Sequence, residues 1–135
     1  MTKQKKGPGG GNRKGALVSL NSDYALKILN GQAQSGYFVE LSFRRNEDAE
    51  HELHYVGASD EARSLLLIAR HKKGITRAEA LGEYWILCLT QHVRFIRKHC
   101  VFFNVIDTER VGPKRYARYH LPEGVSIRLF QNGGR

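Results

Sequence analysis

The stretch from Gly74 to Leu121 constrains the fold more than any other part of the sequence, because its helix and turn signals follow one another in a fixed order. The first signal is a capping box, in which the Thr76 hydroxyl and the Glu79 carboxylate each accept a hydrogen bond from the other residue's backbone N–H. The box predicts a short helix that ends near Gly82, where the glycine permits a sharp turn.

A longer helix and a hairpin complete this stretch. Trp85 to His99 predicts the helix, because apolar residues recur at steps of three and four and must face a core. Those residues are Ile86, Leu89, Val93 and Ile96. Val101 to Asp107 and Tyr116 to Leu121 predict two strands, and Gly112-Pro113 turns the chain between them.

The region before Gly74 predicts a further helix that precedes the stretch directly. Ser59 supplies an N-cap oxygen, and Asp60 and Glu61 place carboxylates in the first turn, where the helix dipole favours negative charge. The predicted buried stripe is Ala62, Leu65, Leu66 and Ala69. Gly74 then closes the helix after a last turn rich in cations.

The N-terminal region predicts a strand, a helix and a hairpin. Ala16 to Leu20 is a short apolar run, Asn21-Ser22-Asp23 can cap a helix, and Asn30-Gly31 can end it. Tyr37 to Phe43 and Leu53 to Val56 predict the hairpin. Near the C-terminus, the apolar and polar residues of segment 125–130 predict one more strand, which can pair with this N-terminal sheet.

Charge is unevenly placed along the 135 residues, whose formal net charge is +9. Residues 1–14 carry five basic and no acidic groups, residues 15–60 three basic and seven acidic, and residues 61–135 fourteen basic and six acidic. We therefore predict a basic disordered arm over 1–14, a small strand-helix-β-hairpin region over 15–58, a helix-and-hairpin domain over 59–130 and a flexible tail over 131–135. The basic ends indicate a polyanionic partner.

Several motifs resemble the winged helix-turn-helix domains of bacteriophage and prophage proteins. They are Gly74-Ile75-Thr76, Ile96-Arg97-Lys98, Thr108-Glu109-Arg110-Val111 and Ala117-Arg118-Tyr119-His120-Leu121. The likeness covers roughly residues 60–122. It implies an α+β fold, a winged helix-turn-helix of three helices plus a β-hairpin wing, with an N-terminal strand-helix-hairpin extension.

The first functional hypothesis is a small DNA-binding protein of phage, prophage or plasmid type that regulates transcription. In such domains one helix enters the major groove of double-stranded DNA, where Gln and Arg read base edges, and the wing contacts phosphate. The candidate nucleic-acid-binding residues are Thr76, Arg77, Gln91, His92, Arg94, Lys98, Arg110, Lys114, Arg115 and Arg118.

The second hypothesis is an interaction protein, for instance a phage-encoded inhibitor of a host nucleoprotein or defence complex. It follows from the apolar and aromatic character of the longer helix, since aromatic residues are enriched at protein interfaces. The candidate contacts are Tyr84, Trp85, Cys88 and Phe95. RNA binding through stacking aromatics and formation of a homodimer are further alternatives.

The sequence contains no arrangement of residues that predicts an enzyme, a cofactor or a metal site. Cys88 and His92 would have to converge with His99 and Cys100 from positions about 10 Å apart along a rigid helix, so we expect no zinc. No apolar run approaches the roughly 20 residues of a membrane span. With no apolar signal region, we expect a cytoplasmic protein with reduced thiols.

Overall fold

The computed structural model describes residues 15–101 and 103–132, which form an α+β fold with four α-helices and two antiparallel sheets. The helices are α1 (Asp23–Leu29), α2 (Asp60–Arg70), α3 (Arg77–Tyr84) and α4 (Leu89–His99). The strands are β1 (Gly15–Val18), β2 (Tyr37–Phe43), β3 (Glu52–Gly57), β4 (Ile75–Thr76), β5 (Asp107–Val111), β6 (Tyr116–His120) and β7 (Ser126–Asn132). The predicted arm over 1–14 lies outside the described residues, as do 133–135.

The four-stranded sheet has the order β1-β7-β2-β3, so the last strand lies between two N-terminal ones. Val39 pairs with Leu129 of β7 on one side and with Val56 of β3 on the other. The prediction that the last strand pairs with the N-terminal sheet is therefore confirmed. Gln131 and Asn132, which we assigned to a flexible tail, pair with β1 and belong to the sheet.

Helix α2 is the central helix, because it packs against α4 as well as against strands of the four-stranded sheet. Ser59 accepts a hydrogen bond from the Ala62 N–H at 3.1 Å, as its cap position predicts. The predicted stripe is buried except for Ala69, which is half-buried. Leu67 and Ile68 are buried as well, since α2 is covered on two sides instead of one.

The capping box that begins α3 is present. Glu79 N–H donates to the Thr76 hydroxyl at 3.1 Å, and Thr76 N–H donates to the Glu79 carboxylate at 2.9 Å. The predicted turn at Gly82 is wrong, because α3 continues through Gly82 to Tyr84. The chain turns instead at Trp85, whose φ is 57°.

Helix α4 begins at Leu89 and not at Trp85, which corrects the predicted start of the longer helix. Ile86, the first predicted core residue, is buried as expected but lies in the turn. Its N–H donates to the Ala80 carbonyl of α3 at 3.2 Å. Leu89, Val93 and Ile96 are buried on the inner face of α4, as predicted.

The three-stranded sheet has the order β4-β6-β5, and its hairpin starts later than predicted. Strand β5 is Asp107–Val111, whereas Val105 and Ile106 are buried core residues outside any strand. Arg97 donates to the Ile106 carbonyl, which satisfies that group without a strand partner. The second strand of the hairpin agrees with the prediction to within one residue.

Within residues 15–101 and 103–132, none of the helices has the length and apolar character that a membrane span requires.

Candidate functional site

A groove of about 650 Å³ opens between the N-terminal end of α3 and the hairpin of β5 and β6. We call it the hairpin groove. Its polar lining includes Thr76, Arg77, Thr90, Arg110, Arg115 and Arg118. Four guanidinium groups therefore share this groove with one carboxylate, that of Glu79. Five of the predicted nucleic-acid-binding residues meet here, although they come from separate parts of the sequence.

Arg118 and Glu79, which both line the hairpin groove, form an ion pair. One terminal nitrogen of Arg118 donates to the Gly74 carbonyl at 3.1 Å and to the Glu79 carboxylate at 3.2 Å. The Thr76 N–H lowers the pKa of Glu79, and the Arg118 charge lowers it further. Gly74 has φ 95°, and a Cβ there would lie 2.6 Å from Arg118 Cγ, so only glycine fits. Arg118 is thus largely a structural residue.

The other three arginines of the groove are available to a ligand. Among residues 15–101 and 103–132, Arg77, Arg110 and Arg115 have no carboxylate within ion-pair distance. Arg115 lies in the hairpin turn with φ 57°, where its N–H donates to the Gly112 carbonyl at 3.0 Å. Lys114, beside it in the turn, is exposed. The hairpin tip therefore presents positive charge that has no ion-pair partner within the described residues.

Helix α4 is joined to the groove by a contact that the sequence did not reveal. The Thr90 hydroxyl lies 3.2 Å from the Tyr119 hydroxyl of β6, which places the first turn of α4 against the three-stranded sheet. Thr90 carries no charge and interrupts no pattern, so no sequence signal distinguishes it. Its position follows only from the packing of α4 on β6.

The exposed face of α4 continues from this contact. Gln91, Arg94 and Lys98 are exposed and lie at steps of three and four, opposite the buried face of the helix. No hydrogen bond or ion pair engages these three side chains within the described residues. These three predicted nucleic-acid-binding residues of α4 therefore point toward solvent.

His92 is also a predicted nucleic-acid-binding residue of α4, but its surroundings differ from those of Gln91, Arg94 and Lys98. Its Nδ1 lies 2.6 Å from the Ser64 hydroxyl of α2, and the side chain is half-buried between the two helices. Because Ser64 is buried, its hydroxyl needs a hydrogen-bond partner, and His92 supplies one. It therefore does not lie on the exposed face of α4.

The predicted protein-contact residues lie in three places. Tyr84 is half-buried, with its ring 6.1 Å from that of His71. Phe95 stacks against His99 at 6.0 Å, and the His99 Nε2 lies 3.1 Å from the Tyr55 carbonyl of β3. Phe95 thus faces the edge of the four-stranded sheet.

The remaining two residues belong to the turn between α3 and α4, residues 85–88. Trp85 is 79% exposed and Cys88 is exposed. Leu87, which the sequence reasoning did not single out, is 69% exposed. This apolar turn immediately precedes the first turn of α4, and Leu89 separates it in sequence from the groove residue Thr90.

In the described part of the chain, no group of three or more His, Cys, Asp and Glu side chains could hold a metal ion. Burial raises the pKa of Cys100 to about 12, so this thiol stays protonated at neutral pH and is a poor ligand.

In comparisons with known proteins, no family model matches the chain, and no curated protein or solved structure matches it.

The hairpin groove and the hairpin tip concentrate guanidinium and ammonium groups. Guanidinium and ammonium groups donate several hydrogen bonds each and favour phosphate oxygens as acceptors.

Proposed function

We propose that the protein binds double-stranded DNA through a winged helix-turn-helix formed by residues 60–120. The order α2, β4, α3, α4 and hairpin supports this assignment, as does the pairing of β4 with the hairpin in the order β4-β6-β5. In such a module the helix corresponding to α4 enters the major groove while the hairpin lies along the backbone.

The observation that carries the proposal is the hairpin groove with its unpaired cations. Arg77 at the start of α3 and Arg110 and Arg115 on the hairpin line one space. Lys114, next to Arg115 at the hairpin tip, is exposed. Like charges held close together without partners repel one another, and a polyanion relieves this repulsion. Phosphates of a DNA backbone supply that charge at regular spacing.

Helix α4 supplies the groups that suit base edges. Gln91 and Arg94 each offer paired hydrogen-bonding groups of the kind that recognise adenine and guanine in the major groove. Lys98, one turn further on, offers a single ammonium group that suits a phosphate. Contacts from the hairpin would set affinity and orientation, and contacts from α4 would choose the sequence.

The proposal is tested by titrating a labelled DNA duplex with the protein at several salt concentrations. We expect the logarithm of the affinity to fall linearly with the logarithm of salt concentration. The variant Lys114→Gln/Arg115→Gln should lower the magnitude of that slope by about 2, since each lost phosphate contact contributes about 0.9. A flat salt response, or no duplex binding at all, overturns the proposal.

A matched control is Lys27→Gln/Arg44→Gln. Both residues are exposed cations outside the hairpin groove, on α1 and in the β2–β3 loop. The control removes the same charge, so a general electrostatic effect would alter its slope equally. We expect the slope of the control to stay close to that of the unmodified protein.

A further inference from the structure

We infer that the turn between α3 and α4 holds a second nucleic-acid contact, in which the Trp85 indole stacks on an unpaired base beside the bound duplex. The inference rests on the proposed DNA binding and specifies its partner further: a duplex with a single-stranded extension or an unstacked base. Four observations support it: the conformation of the turn, its exposure, its position and its charge surroundings.

The turn presents Trp85 on a fixed backbone. Its φ of 57° is left-handed, a conformation that costs a residue other than glycine about 1–2 kcal/mol. Two hydrogen bonds hold it there, from Trp85 N–H to the Leu81 carbonyl at 3.1 Å and from Ile86 N–H to the Ala80 carbonyl at 3.2 Å. Burial of Ile86 anchors the turn to the core. These hydrogen bonds close the C-terminal end of α3 and fix the backbone at Trp85.

The exposure of the indole is large for a residue of this size. Trp85 is 79% exposed, and Leu87 beside it is 69% exposed. Both residues lie in the turn that precedes α4, and both leave most of their apolar surface outside the core. Apolar surface of this kind on a folded protein commonly marks a binding site.

The position of the turn brings the indole within reach of a bound duplex. Thr90 lines the hairpin groove, and five peptide units separate its Cα from that of Trp85. At 3.8 Å per unit, the two Cα atoms lie within roughly 19 Å of each other. That distance corresponds to at most about five or six nucleotide steps of 3.4 Å along one strand.

The surrounding charge favours a nucleic acid as the occupant. Arg94 and Lys98 follow the turn along the exposed face of α4, and Arg77 begins the preceding helix, while Glu83 is an exposed carboxylate close to the turn in sequence. An aromatic ring that precedes a helix with exposed cations suits a strand that presents bases on one side and phosphates on the other. Stacking of one base on an aromatic side chain is worth about 1–3 kcal/mol.

The test uses Trp85 as its own reporter, because it is the single tryptophan of the chain. The protein is titrated with a blunt DNA duplex and with the same duplex carrying a few unpaired nucleotides at one end. We expect the extension to raise affinity about 5- to 150-fold for one stacked base and to quench Trp85 emission. An RNA extension forms a third arm, and quenching by either kind of base supports the inference.

Two substitutions at Trp85 separate the ring from the backbone. Trp85→Asn removes the indole while tolerating the left-handed conformation, and should bind both duplexes equally. Trp85→Phe keeps a stacking ring and should retain part of the gain. The matched control is Val101→Asn at the other end of α4, because Val101 is also exposed (65%) and left-handed (φ 54°). It should behave as the unmodified protein.

The outcomes distinguish this inference from the proposed function. If both duplexes bind with the same affinity and Trp85 emission does not change, the inference fails while DNA binding stands. If neither duplex binds, both fail. A blue shift of Trp85 emission that grows with protein concentration, without nucleic acid, would show that a second copy covers the turn and would overturn the inference.

Discussion

The four-stranded sheet and the hairpin groove contain the same type of basic residue in opposite circumstances. On the sheet, Arg128 donates from Nε to the Glu40 carboxylate at 2.8 Å, and its guanidinium lies 5.3 Å from the centre of the Phe130 ring. In the groove, Arg77 and Arg115 have no carboxylate partner within residues 15–101 and 103–132.

The difference follows from what each arginine faces. Glu40 is only 4% exposed, so its charge is costly to bury without a partner, and Arg128 stabilises the fold by neutralising it. Arg77 and Arg115 at the groove are exposed to solvent and have no buried charge to neutralise. Arg128 therefore stabilises the fold through an ion pair, as Arg118 does in the groove, whereas Arg77 and Arg115 form no ion pair within the described residues.

The largest expected effect concerns the helix that connects the two regions. Leu66 on α2 is fully buried, and Leu66→Ala should lower the free energy of unfolding by about 2–5 kcal/mol. Because α2 packs on both regions, β6 and β7 should lose protection together in urea, as hydrogen exchange would show. Leu26→Ala, at an exposed position of α1, is the control, with a change within about 0.5 kcal/mol. Separate transitions would show that the two regions unfold independently.

A pair of arginine substitutions tests the comparison directly. Arg128→Ala leaves the buried Glu40 carboxylate without its partner and should cost about 1–3 kcal/mol of stability. Arg94→Ala on α4 should change stability by less than about 0.5 kcal/mol and should weaken DNA binding instead. Denaturant unfolding and DNA titration of both variants provide the check. A stability loss for Arg94→Ala as large as that for Arg128→Ala would contradict the distinction.

The smallest effect concerns Glu79, the one carboxylate of the groove. Its hydrogen bond from the Thr76 N–H and the charge of Arg118 lower its pKa below the ordinary value of 4.5. Its charge therefore stabilises the folded protein above about pH 4.5, and this contribution disappears as pH falls through the folded-state pKa. Glu79→Gln keeps the capping geometry and removes the charge, at a cost of about 0.3–1 kcal/mol at pH 7.

The sign of this contribution to stability is checked by measuring the free energy of unfolding of Glu79→Gln and of the unmodified protein between pH 3 and pH 7. The gap between them should narrow as the solution becomes more acidic. A gap that stays constant or widens toward low pH would show that the Glu79 charge does not contribute in the way described.

Features that depend on residues close in sequence could be predicted from the sequence. Thr76 and Glu79 lie three residues apart, so one helical turn brings cap and carboxylate together regardless of the rest of the fold. The turn after α3 could not, because the sequence predicts it at Gly82 from the conformational freedom of glycine, whereas α3 continues to Tyr84. Gly82 permits a turn but does not require one, and the turn lies instead at Trp85, where it buries Ile86.

The sequence by itself, through residues that lie close together along the chain, thus determined the caps, the buried faces of the helices, the hairpin turn and the basic character of its tip. Only the tertiary structure decided which side chains meet. Arg118 pairs with Glu79 across 39 positions of sequence, His92 faces Ser64 across 28, and Thr90 meets Tyr119 across 29. Such contacts depend on how α2, α4 and the two sheets pack, because packing sets the distance between residues that no local hydrogen bond connects.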